Sequence, residues 1–191
     1  MGDPAKPRAT RADLDALPER VVGELIGGVL YTMTRPRPRP ARAASIIGGD
    51  LNGPYDRGRG GGPGGWWIVV EPGIELAELD VEEIAPDVAG WRRERLPRLP
   101  DGPFTIRPDW VCEVLSPSTR SHDLKLKRPL YARAGVLWMW IVDVEARLLT
   151  ASKLHDGQWL ELATWADDDV ARIAPFEAVE IQLHDLWADE A

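Results

Sequence analysis

The chain has 191 residues, 44% hydrophobic and 28% charged, which is close to ordinary globular usage and sufficient for a substantial core. Its net charge of −8 argues against a protein that coats nucleic acid non-specifically, although a local basic groove is compatible with it. A lone cysteine, Cys112, excludes intrachain disulfides and multi-cysteine zinc sites. No apolar run reaches the length of a signal peptide or membrane span. We therefore expect a cytoplasmic protein with one domain over residues 10–191, after a disordered tail over residues 1–9.

The first part of the chain predicts a short helix followed by a β-hairpin. Residues 10–17 favour a helix with Thr10 as its N-cap. Residues 20–33 place two apolar runs around Gly27-Gly28, a pair suited to a two-residue hairpin turn. Glu24 lies in the first of these runs. It is therefore expected among apolar neighbours whichever face of the strand is buried.

Proline and glycine dominate the segments that follow the hairpin. The run RPRPRPAR, residues 35–42, is too rich in proline for a helix or a central strand and predicts an extended connection that concentrates four arginines. Helical composition follows over residues 41–51. Residues 52–65 predict a glycine-rich loop. A nucleotide-binding P-loop is disfavoured there, because no GK[ST] sequence follows and the next element is a strand.

Short strands and a basic loop are expected next. The apolar patterns predict strands over residues 66–70, 73–76 and 84–89. Residues 91–103 are basic and interrupted by prolines, which indicates a surface loop. Arg92 and Arg93 lie in this loop and are candidate phosphate contacts.

The centre of the chain has the pattern of a strand–helix–strand unit. Two short apolar runs, residues 110–115 and 137–142, are separated by a polar turn and a helical segment, which predicts parallel strands with a right-handed crossover. Glu113 stands in the middle of the first run, where burying its carboxylate is costly unless a cation or several donors meet it. Because proline is tolerated only in the first helical turn, Pro129 predicts that the helix begins no earlier than about Lys127.

Two acids and a lysine from these elements form a candidate site. Asp87 follows a proline in a short strand, and two strand-borne acids, Asp87 and Glu113, suit an oxygen-loving dication such as Mg²⁺. Lys127, or its rival Lys125, could orient an attacking water or stabilise negative charge on a phosphate. Asp109 stands about 13 Å from Glu113 along its strand, too far to share one ion. A structural ion pair between Glu113 and a lysine is the competing interpretation.

Other residues that could carry chemistry have simpler interpretations. Ser116 is expected to cap the turn after the strand. Cys112 is expected to be an inert packing thiol. The three histidines, His122, His155 and His184, fall in turn-like settings, and we assign no ligand role to them.

Several motifs in chain order carry a resemblance to a known family. The order is LPERVVGELIGG, PDVAGWRRERLP, PDWVCEVLSPSTRSHD, KRPLYARAGV and WIVD, which together span nearly the whole chain. This order resembles the PD-(D/E)XK nuclease superfamily, and more closely its Uma family of restriction-type endonucleases. The resemblance implies an α/β fold with a restriction-endonuclease-like core, a central mixed β-sheet flanked by helices. It also implies metal-assisted hydrolysis of DNA phosphodiester bonds.

Site residues follow from the resemblance position by position. Asp87 and Glu113 match the metal-binding acids of the family, with Mg²⁺ as the expected ion and Mn²⁺ as a substitute. Lys127 matches the catalytic lysine, which this family carries on the helix, while Leu115 occupies the lysine position of the strict motif. Glu24 matches an acid that superfamily members add to the site, as a further metal ligand or to order water.

The chain departs from the resemblance at one point. Similar sequences often carry a histidine just before the helix, where this chain has Pro40 and Ala41. That departure, together with the net charge, favours the alternative of a catalytically inactive nuclease-like DNA-binding or scaffold protein. Arg92, Arg93 and Lys125 are candidates for nucleic-acid binding, DNA is the expected substrate with RNA as the alternative, and a homodimer is expected because it is the commonest soluble assembly.

Overall fold

The computed structural model describes residues 7–19, 21–34 and 37–187. Within these ranges no helix is long and apolar enough to cross a membrane. Most of the expected disordered tail, residues 1–6, lies outside the described residues, as does Arg35 of the proline-rich run. The α-helices of the described residues are α1 Arg11–Asp15, α2 Pro38–Leu51, α3 Arg120–His122 and α4 Arg128–Ala134. Tighter or wider helical turns cover Asn52–Asp56, Arg59–Gly61, Ala77–Leu79, Asp123–Lys127 and Leu183–Leu186.

The strands number twelve over the described residues and form three sheets. In chain order they are β1 Val21–Ile26, β2 Val29–Thr34, β3 Trp66–Val70, β4 Ile74–Leu76, β5 Val81–Ile84, β6 Val88–Arg92, β7 Trp110–Leu115, β8 Trp138–Asp143, β9 Leu148–His155, β10 Gln158–Ala166, β11 Val170–Ala171 and β12 Ile181–Gln182.

A six-stranded mixed sheet with the order β10-β9-β8-β7-β6-β3 forms the centre of the molecule. Strands β7 and β8 are parallel, and the helical segment between them is their crossover, whereas the other neighbours pair antiparallel. The mixed sheet and the strand–helix–strand unit are thus confirmed. Every residue of β7 is buried, because helices and strands cover both faces of the sheet.

Alternation along β7 sends its residues to two different layers. Trp110, Cys112 and Val114 pack in a core with helix α2, in which the indole of Trp110 meets Phe176 edge-on. Val111 faces the other layer, which contains Tyr131 of α4. Glu113 lies on the same side of the strand as Val111. The carboxylate is therefore directed toward the layer that holds the crossover helix.

A second sheet, with the order β2-β1-β5-β4, contains the predicted hairpin. Gly27 and Gly28 have φ values of 62° and 72°, the left-handed conformations that a two-residue hairpin turn requires. Across the hairpin Glu24 pairs directly with Tyr31. The hairpin prediction is confirmed, and it delivers Glu24 in a fixed register.

The strand predicted over residues 84–89 is wrong, because two strands in different sheets occupy this region. Strand β5 ends at Ile84 in the four-stranded sheet, and β6 begins at Val88 in the six-stranded sheet. Pro86 has no N–H to donate, so continuous pairing through residues 85–87 is not available. These three residues connect the two sheets and carry Asp87.

Two segments that were predicted to be extended or looped are helical. Helix α2 begins at Pro38 and includes Pro40, since the first N–H groups of a helix need no intrahelical acceptor. Its end continues through the π-helical turn Asn52–Asp56, so only the later part of residues 52–65 is a loop.

The basic loop expected over residues 91–103 begins later than predicted. Trp91 and Arg92 belong to β6, and the indole of Trp91 is fully buried against Phe104. The buried indole N–H donates to the Ile106 carbonyl at 2.7 Å. The aromatic side chain is therefore part of the core and not of a surface loop.

The crossover helix begins before the predicted position. Helical backbone starts at Arg120 and passes through the π-helical turn Asp123–Lys127 into α4. The N–H of Arg128 donates to the Asp123 carbonyl five residues earlier, and this wider turn precedes Pro129. Lys127 accordingly lies inside a continuous helical segment and not at its N-terminal edge.

Candidate active site

Both sheets and the crossover helix meet at a cavity of about 180 Å³, and half of its lining residues are acids. We call it the acidic cavity; its ionisable lining residues are Glu24, Glu71, Asp87, Glu113, Asp123 and Lys127. The four residues predicted as a site, Glu24, Asp87, Glu113 and Lys127, are thus brought together from four separate elements. Lys127 is the cation among these six residues.

The ammonium group of Lys127 is held in several directions at once. Its Nζ donates to the Ala85 carbonyl at 2.8 Å and lies 2.8 and 2.9 Å from the two oxygens of Glu113. Glu24 Oε1 is 3.3 Å away, and Asp123 follows at 3.8 Å. Burial by itself lowers the pKa of Lys127, but the surrounding carboxylates raise that pKa above its ordinary value by a larger amount. The shift favours the cationic form of Lys127 at neutral pH.

Glu113 is 1% exposed, and both of its oxygens have partners. Tyr131 donates its hydroxyl to Oε1 at 2.7 Å, while Lys127 binds both oxygens. Burial raises the pKa of Glu113 well above its usual range, and Lys127 offsets this only in part. The sequence predicted that a buried carboxylate at Glu113 needs a cation or several donors. Lys127 is that cation.

Asp87 contributes the second strand-borne acid of the cavity. It directly precedes β6, and its Oδ2 accepts the backbone N–H of Val114 at 2.7 Å, next to Glu113 on the neighbouring strand. Burial raises the pKa of Asp87 to about 6, although Lys127 and the Val114 N–H lower it and Asp123 and Glu71 add to it. The negative charge of Asp87 is therefore unfavourable at this buried position, and a further cation would stabilise it.

Glu24 is held by a histidine that the sequence interpretation overlooked. His122 Nε2 lies 2.6 Å from Glu24 Oε2, while Glu24 Oε1 accepts the N–H of Ala85 at 3.1 Å. Burial raises the pKa of Glu24, but Lys127 and His122 lower it more, and the net shift is downward. Assigning His122 to a turn concealed this contact, since the residue lies on the crossover helix.

Asp123 and Tyr131 were also missed, and the spacing of the sequence contains a signal for them. Residues 123, 127 and 131 are separated by four, so they fall on one face of a helix that continues through all three. Because the helix was expected to begin at Lys127, Asp123 was placed outside it. The π-helical turn that carries Lys127 is itself a feature often found at functional sites.

The residues predicted to bind nucleic acid lie in different places. Arg92 and Arg93 stand five and six residues beyond Asp87, about 17 Å or more at normal strand rise, and neither lines the acidic cavity. Arg93 donates to the carboxylate and carbonyl of Asp56 at 2.9 Å and to the Trp66 carbonyl. Lys125 is exposed, two residues before Lys127. The nucleic-acid role of all three stays a prediction.

Asp109 and Pro40 are both separate from the acidic cavity. Asp109 accepts the N–H of Arg92 at 2.9 Å and forms an ion pair with Arg95 at 2.7 Å, the structural role expected of an acid at the start of β7. Pro40, which stands where similar sequences often have a histidine, is buried in the first turn of α2 and lines a second cavity. Pro40 is not among the residues that line the acidic cavity.

Comparison with known proteins gives the family and the fold. A family model, Uma2, described as "Putative restriction endonuclease", matches residues 11–184. Among solved structures the chain is similar to one described as a putative nuclease belonging to DUF820 from Anabaena variabilis, with a TM-score of 0.69 and 19% identity over 93% of this chain and 96% of that one. No curated protein matches. The chain, with its mixed sheet and its acidic cavity, belongs to the Uma2 family of restriction endonuclease-like proteins.

Proposed function

We propose that this protein is a Mg²⁺-dependent endonuclease that hydrolyses DNA phosphodiester bonds at the acidic cavity. The observation that carries the proposal is the convergence of Asp87, Glu113 and Lys127 from three elements onto one cavity. Membership of a nuclease family supports the general reaction class. A structural ion pair alone would need one acid, whereas five acids line this cavity beside one lysine.

The residues of the cavity suit a hard dication in chemistry and charge. Carboxylate oxygens are the ligands that Mg²⁺ prefers, and Mg²⁺ typically takes one or two of them and completes its shell with water and phosphate oxygens. As the side chains stand, no three His, Cys, Asp or Glu groups among the described residues are close enough together to hold an ion. Lys127 lies between Glu24 and Glu113 and balances part of their charge. Asp87 and Glu113 would hold the ion.

Several residues in and around the cavity have a defined part in the proposed reaction. Bound Mg²⁺ supplies polarisation of the phosphate and a lower pKa for water. Lys127, in its cationic form, stabilises the negative charge that develops on phosphate oxygens and orients the attacking water. Tyr131 fixes the rotamer of Glu113 through its hydroxyl. The Val114 N–H fixes one oxygen of Asp87, whose side chain lines the cavity.

A second cavity of about 450 Å³ offers a path for the nucleic-acid backbone. Arg37 and Arg39 line it, together with Pro117 from the turn after β7, whereas Thr119 of the same turn lines the acidic cavity. The turn after β7 therefore contributes a lining residue to each cavity, two positions apart in the sequence. Both arginine side chains are exposed, and paired phosphate contacts outside the reacting position are what positions a duplex. Glu145 lines the same cavity and limits its positive charge.

Cleavage of supercoiled plasmid DNA tests the proposal. Wild type with Mg²⁺ or Mn²⁺ should cleave, and Glu113→Gln and Lys127→Ala should lose at least about 100-fold in rate. Glu161→Ala and Lys153→Ala, which alter exposed residues on β10 and β9, are the matched controls and should keep full activity. Lys125→Ala decides between the two lysines. Equal activity in all variants would mean contamination or a wrong site.

The inactive-protein alternative, favoured by the absent histidine and the net charge, gains support from Lys127, which lies between Glu24 and Glu113. Metal binding measured by calorimetry, with no cleavage of duplex, single-stranded or supercoiled DNA, would favour that alternative. Cleavage of RNA but not DNA would change the substrate and leave the site in place.

A further inference from the structure

We propose that His122 is a positioning residue of the acidic cavity, which fixes the ammonium group of Lys127 through Glu24. The inference rests on the proposed nuclease function for its consequence, but the contacts that carry it are independent of that function. It assigns Glu24 to the support of the lysine, a role different from that of a metal ligand.

The first step is the contact between His122 and Glu24. The two side chains are separated by 98 residues in sequence, and Nε2 lies 2.6 Å from Oε2. Glu24 is 1% exposed, and His122 is largely covered. A hydrogen bond to a buried carboxylate is among the stronger contacts in proteins, because water cannot replace it.

The second step is the way in which His122 itself is held. Its ring lies against the ring of Tyr31 with the centroids 5.0 Å apart. Tyr31 is the residue directly opposite Glu24 in the β1–β2 ladder. The imidazole therefore contacts two side chains whose relative position is fixed by strand register, and its own backbone lies on the crossover helix. The contact locks the helix to the hairpin.

The third step is the distribution of contacts over the oxygens of Glu24. Oε2 is taken by His122, whereas Oε1 accepts the Ala85 N–H at 3.1 Å and lies 3.3 Å from Lys127 Nζ. With one oxygen held from each side, the carboxylate plane cannot rotate freely. Glu24 is therefore a fixed acceptor for Lys127, whose ammonium is also held by the Ala85 carbonyl and by Glu113.

The other two histidines provide a contrast within the same chain. His155 and His184 are exposed and contact only the adjacent acids in the sequence, Asp156 and Asp185, among the ion pairs of the described residues. Such neighbouring pairs on the surface contribute little. They have the same side-chain chemistry as His122 without a buried partner, and they supply matched controls.

Two substitutions separate the shape of His122 from its hydrogen bond. His122→Phe keeps a ring against Tyr31 but removes the donor, whereas His122→Gln places an amide nitrogen about as far along the side chain as Nε2. His155→Phe is the control for the first and His155→Gln for the second. All variants are compared by thermal unfolding, so that effects on the fold are measured alongside those on the site.

The readout that does not depend on cleavage is the reactivity of Lys127 toward an amine-acylating reagent, followed by peptide mass spectrometry. Lys127 is 4% exposed, and exposed Lys125, two residues away, is the internal reference. We expect His122→Phe to increase the rate at Lys127 by about 10-fold relative to Lys125, since a lost hydrogen bond to a charged group corresponds to at least that factor. His122→Gln should restore most of the protection.

Cleavage kinetics supply the second readout. His122→Phe should lower kcat by about 10-fold with KM within about twofold, because the lysine acts at the reacting phosphate and not in overall binding. Wild-type reactivity of Lys127 in His122→Phe would overturn the inference, and so would equal behaviour of the Phe and Gln variants. If the wild type cleaves no nucleic acid, the proposed function fails, while the labelling experiment still decides the role of His122.

Discussion

At the scale of single residues, the buried pair formed by Glu113 and Lys127 is energetically less favourable than apolar side chains would be in a core. Removing two charges from water costs several kcal/mol for each ion, and a buried pair often stabilises a fold less than apolar residues of the same volume. Glu113 and Lys127 are 1% and 4% exposed, and four further acids line the same cavity. Stability does not account for such a group, which is consistent with its use in chemistry.

Removing the lysine alone should therefore be harmful to the fold. Lys127→Met leaves Glu24, Glu113 and Asp123 without their shared cation, and we expect a loss of about 3–5 kcal/mol in the free energy of unfolding at pH 7. The double variant Lys127→Met with Glu113→Leu should recover part of that loss without regaining cleavage. Urea unfolding of the three proteins measures both values. A single variant as stable as wild type would contradict the assigned ion pairing.

Asp143 gives a pH dependence whose sign follows from its contacts. Burial raises its pKa, but donation from Arg120 and from the N–H groups of Ala146 and Glu145 lowers it more, so the net shift is downward. A carboxyl with a depressed pKa stabilises the folded state above the pKa of the unfolded chain, near 3.9 in model peptides, and this contribution is lost as pH falls through the folded-state value.

Asp143→Asn should reduce the free energy of unfolding by about 1 kcal/mol at pH 7, a modest value because Arg120 is half exposed and screened by solvent. The difference from wild type should shrink as the pH falls below about 4 and vanish in stronger acid. Urea titrations across this pH range provide the measurement. A difference that stays constant with pH would show that packing, and not charge, is responsible.

At the scale of elements, the apolar pattern of the sequence predicted correctly the strands that pair with the next strand along the chain. The β1–β2 hairpin has its turn glycines, and β7 and β8 have their short apolar runs, so all four strands follow from local pattern. Strands β5 and β6 were merged because the sequence contains no sign that Ile84 and Val88 belong to different sheets. That division depends on long-range pairing.

The proline residues led to a wrong predicted start for both main helices. Pro38 and Pro40 were read as helix breakers, yet they occupy the first turn of α2, and Pro129 was read as a start signal although a π-helical turn precedes it. The second error also affected the prediction of the site. Placing the helix start at Lys127 removed His122 and Asp123 from consideration, although both contact residues of the acidic cavity.

The second cavity gives a prediction for substrate binding. Arg37→Ala combined with Arg39→Ala should raise KM for DNA with little change in kcat, and it should reduce the slope of log affinity against log salt by about 2, the value for two lost phosphate contacts. Filter binding or fluorescence anisotropy between 50 and 200 mM salt measures the slope.

The control for this prediction has the same loss of charge at another place. Arg57→Ala with Arg59→Ala removes two cations from the glycine-rich loop, which does not line either cavity described above. If both double variants change the salt dependence equally, the net charge and not the second cavity accounts for the effect.

At the scale of the whole molecule, binding of a metal that requires the assembled sheets should stabilise them together. The proposed ligands Asp87 and Glu113 come from elements that are far apart in the unfolded chain, so Mg²⁺ should bind only the folded state. At 100 times its dissociation constant the ion would add about 2.7 kcal/mol to the free energy of unfolding. Thermal unfolding with and without Mg²⁺ measures the shift, which should be absent in Asp87→Asn. An equal shift in that variant would place the ion elsewhere.

The expected homodimer also stays a prediction at this scale. Strand β10 lies at an edge of the six-stranded sheet, and Leu160 on it is 54% exposed. Sedimentation equilibrium at several protein concentrations measures the assembly state directly.

The connection of residues 85–87 has a consequence for any survey of this protein by substitution. The N–H of Ala85 donates to Glu24 and its carbonyl accepts from Lys127, so one residue contacts two charged groups through main-chain atoms alone. Exchanging the methyl group of Ala85 for another small side chain leaves both contacts in place, and a scan of side chains would score the position as dispensable. A change of the backbone itself is needed: replacement of the Ala85 N–H by an ester oxygen would remove the contact with Glu24 and measure its contribution.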